Sequence, residues 1–208
     1  MTARFPRHFA DRLSLGVLGS TGLATALGYD SLPARIATHF DWRGNADSWQ
    51  PRALAVTLLP GLAVGLLALL RLVPRGRGEG APWAATATVG FLCTIHVLVL
   101  GHARNAGLDV VNGTTLACGI FFAALGLLLP KVKQNPWVGA RTYWTLRSPE
   151  VWARTQRVVG AGFFLGGLAI AAVSLLAPRL GLATLLGTVT GVTVLSYVYS
   201  WRASLGRA

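Results

Sequence analysis

Apolar residues gather into six long runs along the chain, about Leu13–Tyr29, Ala53–Val73, Trp83–Gly101, Val110–Pro130, Val158–Ala177 and Leu180–Trp201. A helix needs about 20 residues, at about 1.5 Å rise each, to cross a hydrocarbon core about 30 Å thick. Each run therefore predicts a crossing; the first is the shortest and needs tilt or local thinning of the bilayer. Strands of a membrane barrel would alternate polar and apolar positions, and these runs are continuous. The pattern predicts an all-α fold, a polytopic transmembrane bundle of six helices.

Composition agrees with this. Of 208 residues, 53% are apolar and 12% charged. Soluble domains carry about 25% charged residues, so this chain has too little polar surface to cover a water-soluble globule. The lipid bilayer is the partner that composition demands.

The net charge of +12 raises nucleic acid as a partner. The basic residues fall between the apolar runs rather than along one stripe, which argues against direct nucleic-acid binding. Their distribution sets orientation instead. Alternate connectors divide Lys and Arg 14 to 5, with Arg35, Arg43, Arg52, Arg104 and Arg179 on the poorer side. The richer side faces the cytoplasm, so both termini are expected inside. A basic start followed by Ala24-Thr25-Ala26 also has the form of a cleavable signal, which would leave five crossings.

Gly61/Gly65, Gly162/Gly166 and Gly187/Gly191 are each four apart and line one helix face. Such spacing predicts close helix packing within the chain, and the same motif also serves homodimer faces. Cys93 and Cys118 lie in apolar runs without a pairing or zinc pattern, which predicts simple packing.

No acidic residue falls within a predicted crossing, and His96 is the one deep histidine. Ion-coupled carriers need a carboxylate at mid-membrane, so a coupled transporter is disfavoured, whereas a passive small-solute pore is not. Cys93 and His96, three apart, could begin a metal or haem site; without further ligands a packed histidine with one hydrogen bond is the expectation. No nucleophile-elbow, zinc-protease or phosphate-loop motif occurs, so neither an enzyme nor a cofactor or metal is expected.

Two connectors are too long and too patterned to be simple links. The first, residues 30–52, holds His39, Asp41 and Asp47, a Gly44-Asn45 turn, and Phe40, Trp42 and Trp49 for the headgroup level. His39 beside Asp41 and Asp47 is a candidate for metal binding or pH sensing and, with Asp47 in an enzyme reading, for chemistry at the outer surface, beside the plainer reading of a hydrogen-bonded scaffold. The second, residues 131–157, carries an aromatic and basic belt. Asn135, Gly139, Thr142 and Thr145 go beyond a belt and predict a specifically folded loop. Ser148-Pro149-Glu150 reads as helix cap, first turn and dipole-matched acid, opening a helix that runs into the fifth crossing.

These two connectors resemble a known family. Leu32, Pro33, Ile36, His39, Gly44, Asp47 and Trp49 resemble the small domain of unknown function that precedes SdpI-like membrane proteins. Pro130, Lys131, Asn135, Gly139, Arg141, Thr142, Trp144, Thr145, Leu146, Trp152, Thr155 and Arg157 resemble the SdpI signature itself. Gln156 departs from it, standing where the family often has histidine, and Leu127 stands where a polar asparagine is common. The resemblance implies residues 1–74 as an N-terminal helical pair with its outside loop, and residues 75–208 as a four-helix SdpI-like domain. It further implies a multi-pass protein of the cell's cytoplasmic (inner) membrane that confers immunity to a secreted toxin peptide and holds a transcriptional repressor at the membrane. On that footing His39, Gly44, Asn45, Asp47 and Trp49 would meet the toxin outside. Asn135, Gly139, Arg141, Thr142, Trp144, Thr145, Trp152 and Arg157 would meet the repressor inside.

Overall fold

The computed structural model describes residues 7–72, 80–105 and 107–206. Of the basic residues counted for orientation, Arg4, Arg75, Arg77 and Arg207 lie outside the described residues. In chain order the elements are α1 (Arg7–Leu27), β1 (Arg35–Phe40), β2 (Ala46–Pro51), α2 (Arg52–Leu72), α3 (Gly80–Arg104), α4 (Val110–Leu128), α5 (Tyr143–Arg147), α6 (Pro149–Leu176) and α7 (Pro178–Leu205). Every apolar run falls on a helix, and the protein is a helical membrane protein.

Among the described helices α2, α3, α4, α6 and α7 are long and apolar enough to cross a membrane, which is five rather than six. The helix α1 has 21 residues but falls short in apolarity. Asp11, Arg12, Ser14, Ser20, Thr21 and Thr25 dilute its leucines.

The chain divides into two compact units, one of residues Met1–Val73 and Ala85–Ala117, the other of Pro74–Ala84 and Cys118–Ala208. In the first unit, α1 meets α3 through polar contacts. The Ser14 and Thr86 hydroxyls lie 2.9 Å apart and both reach the Ala10 carbonyl, at 3.0 and 3.1 Å. Further along, Thr25 Oγ1 and His96 Nε2 are 2.9 Å apart. The Thr25 hydroxyl donates to the Thr21 carbonyl at 2.8 Å, so it accepts from the imidazole. His96 is the packed histidine with one hydrogen bond expected of it.

The first connector is a β-hairpin, where the all-α reading left a loop. Its strands pair antiparallel, with Ile36 opposite Gln50 and Ala37 opposite Trp49. The reason is the apolar surface beneath it. Ile36 points inward and Phe40 is half-buried, packing with Leu32 onto Ala55, Val56, Val99, Leu100 and Val110. A two-stranded ribbon is marginal alone; the apolar floor makes this one stable.

In the second unit α4 and α6 touch backbone to backbone. A Cβ on Gly126 would fall 2.6 Å from the Gly160 carbonyl, and one on Gly167 equally close to that of Gly119. The seam is thus built on glycines seven apart. The expected four-apart pairs behave differently: Gly162 and Gly166 face Val192 and Thr188 of α7, whereas Gly61, Gly65, Gly187 and Gly191 have open space beside them. Of the three four-apart pairs, only Gly162/Gly166 packs against another helix among the described residues; an added Cβ at the other four glycines would meet nothing within 4 Å.

Candidate functional site

The hairpin turn is organised by Asp41. Its carboxylate accepts from the backbone N–H groups of Arg43 and Asn45, both at 2.8 Å, and from the Asn45 side chain at 3.0 Å. Those bonds, the Asn45 side chain foremost, hold the Asp41 carboxyl below its ordinary value. Gly44 at φ +88° completes the turn in a conformation that favours glycine. Gly44 and Asn45 therefore build the turn. His39 Nδ1 lies 2.5 Å from Asp47 Oδ1, with both side chains exposed. Trp49 and Trp42 are also exposed, and the Arg43 guanidinium stacks 4.5 Å over the Trp42 ring. Among the described residues no group of three or more His, Cys, Asp or Glu side chains is placed to hold a metal ion.

The loop 131–157 is a folded unit with its polar groups turned inward. Asn135 makes four hydrogen bonds: its amide donates to the Lys133 and Val138 carbonyls at 2.7 and 3.1 Å. Its carbonyl accepts from the Trp137 and Val138 N–H groups, both at 2.8 Å. Such a side chain closes a turn from within. Arg141 donates to the Pro136 carbonyl at 2.8 Å and tightens the same turn.

Thr142 and Thr145 form a capping box that starts the short helix α5. Both are buried. Thr145 also donates to the Ala140 carbonyl at 2.9 Å, and Thr142 donates to Ser200 of α7 at 2.9 Å. Ser148 then caps α6, accepting from the Val151 N–H, as its Ser-Pro-Glu start predicts.

The loop is locked against the first turns of α6. The Trp152 indole N–H donates to the Val132 carbonyl at 2.8 Å. Gln156 accepts from the Ala140 N–H at 3.1 Å and donates to its carbonyl at 3.3 Å. Gly139 sits at φ +121° between them; a Cβ there would lie 2.7 Å from Gln156 and 2.9 Å from the Trp152 ring. Sequence reasoning treated Gln156 as a departure from a motif. It is fully buried and bonded, and its place four residues after Trp152 on one helix face was the available signal.

Of the other residues expected here, Trp144 is half-buried with its ring edge-on to Tyr143, and Arg157 is exposed. Gln134 and Ser200 join the network without having been singled out, Gln134 donating to the Thr145 carbonyl at 2.7 Å. The hairpin and the 131–157 loop belong to different units, and each is a site in its own right.

Helices of this length and apolarity, joined by such connectors, define a multi-pass membrane protein. Residues 131–200 match the model of the SdpI/YfhL protein family, and residues 16–64 match a domain of unknown function, DUF1648. Both matches fall where the residues themselves show the resemblance. No curated protein and no solved structure matches the chain.

Proposed function

We propose that this chain is an immunity and signalling protein of the cytoplasmic membrane, acting by binding rather than as an enzyme. The hairpin would engage a secreted toxin peptide outside. The 131–157 loop would hold a repressor protein inside. The observation that carries this reading is the cross-braced loop within the SdpI/YfhL match. An ordinary connector has no need of a four-bonded asparagine, a capping box and a buried glutamine; a surface that presents fixed side chains does.

The reading places six crossings with both termini inside. Ser14 and Thr25 of α1 meet Thr86 and His96 of α3 in the same chain direction. A parallel α1 and α3 fits an up-down-up order and supports α1 as a crossing despite its polar residues. Signalling then requires that engagement outside favour one helix arrangement over another.

The test is toxin survival and repressor recruitment in Arg141→Ala and Trp144→Ala variants that still reach the membrane. Loss of recruitment in either supports the reading. Wild-type survival and recruitment in both would remove the loop from the mechanism.

A further inference from the structure

We infer that the outward face of the 131–157 loop binds anionic phospholipid headgroups. The first observation is depth. The helix α6 has 28 residues, about 42 Å of helix against a hydrocarbon core of about 30 Å. Its charged residues, Glu150, Arg154 and Arg157, all lie in its first nine positions, so the excess length lies at that end. The loop is pinned to that same stretch at Trp152 and Gln156, so it lies alongside the helix base at headgroup depth.

The second observation is chemistry. Residues 131–157 carry six cations and one acid, and that acid, Glu150, is paired with Arg154 at 2.5 Å. Lys131, Lys133, Arg141 and Arg147 are exposed together with Trp137 and Tyr143. Two of the cations are held in place: Arg141 on the Pro136 carbonyl, Arg147 3.7 Å over the Tyr143 ring. Guanidinium groups held in place, that of Arg147 beside an interfacial aromatic, suit phosphate oxygens, because their forked donors meet two oxygens at once. Anchored aromatics at this level favour a lipid as the resting occupant of this face, which a repressor meeting Arg141 would have to displace.

The experiment uses the full chain in a neutral detergent. Its thermal unfolding is followed while phosphatidylglycerol, phosphatidylcholine, inorganic phosphate or polyglutamate is added. Saturable stabilisation by phosphatidylglycerol alone is expected. The Lys131→Gln/Lys133→Gln double variant should need more of that lipid, roughly five-fold for each cation removed. Arg35→Gln/Arg43→Gln, in the hairpin, should respond as wild type. Equal stabilisation by phosphatidylcholine or by inorganic phosphate overturns the proposal. So does stabilisation by polyglutamate without phosphatidylglycerol, which would make the face a protein surface. If Lys131→Gln/Lys133→Gln fails to fold, Trp137→Ser replaces it, and an unchanged lipid requirement in the variant used overturns the proposal.

Discussion

The Trp152 indole N–H reaches back twenty residues to the Val132 carbonyl, 2.8 Å away, and ties the base of α6 to the strand of chain that leaves α4. Trp152 is 2% exposed, so no water replaces that partner if it is lost. Trp152→Phe keeps most of the ring but orphans the carbonyl, and should cost about 1–3 kcal/mol. Trp152→Ala also empties the space and should cost about 3–5 kcal/mol. Thermal unfolding in detergent, with trypsin cleavage at Arg141 as a local readout, checks both.

Gly139→Ala should open the same loop. At φ +121° an added side chain costs about 1–3 kcal/mol before any clash. It would also press on Gln156 and Trp152. Gln156→Leu should resemble it, because the Ala140 N–H loses its partner and the Ala140 carbonyl keeps only the Thr145 hydroxyl. Faster proteolysis of the loop, with α6 still helical, is the expected result.

The glycine seam predicts a contrast within one residue type. Gly126→Val and Gly160→Val drive side chains into the facing backbone and should destabilise by at least about 1–3 kcal/mol. Gly187→Ala and Gly61→Ala meet open space and should leave unfolding midpoints unchanged or slightly raised. Comparing the four midpoints under one detergent condition decides it.

Thr25→Val removes the acceptor of the His96 imidazole while keeping shape. Bonds between membrane helices average about 0.6 kcal/mol and reach about 1.7 kcal/mol, so a modest loss is expected. Serine at the same position should restore most of it. Crosslinking of cysteines placed along α1 and α3 reads whether their contact loosens.

The hairpin should be acid-sensitive through Asp41. Its carboxyl is held below the ordinary value of 3.8, chiefly by the Asn45 side chain. A depressed carboxylate contributes stability in full above the unfolded value and loses it as pH falls through the lowered folded value. Trp42 fluorescence, read as the difference between the protein and its Trp42→Phe variant, should be flat at neutral pH and change under acid. Asp41→Asn should remove that response.

The basic residues on the poorer side of the charge count show how much of this was legible. The 14 to 5 split is a sequence observation and supports orientation. Why arginines persist on the poorer side was not legible. Arg104 donates to the Gly28 carbonyl and the Ser31 hydroxyl, at 3.1 and 3.2 Å. Arg52 donates to the Tyr29 and Leu32 carbonyls, at 3.1 and 3.2 Å, and lies 4.2 Å over the Tyr29 ring. Both brace the turn after α1, adding a donor to the Gly28 and Tyr29 carbonyls that already accept from the Ser31 and Leu32 N–H groups.

Sequence alone determined the helices, the start of α6 at Ser148-Pro149-Glu150, and the two connectors as folded places. Those properties are local: hydrophobic burial and helix capping act within a few turns of chain, so they are written in neighbouring residues. Tertiary structure decided which glycines pack, that residues 35–51 form a hairpin, and that Gln156 and Ser200 complete the loop. Each of these depends on what a remote backbone presents to a side chain. A glycine facing another helix and a glycine facing open space read alike until the neighbour is in place.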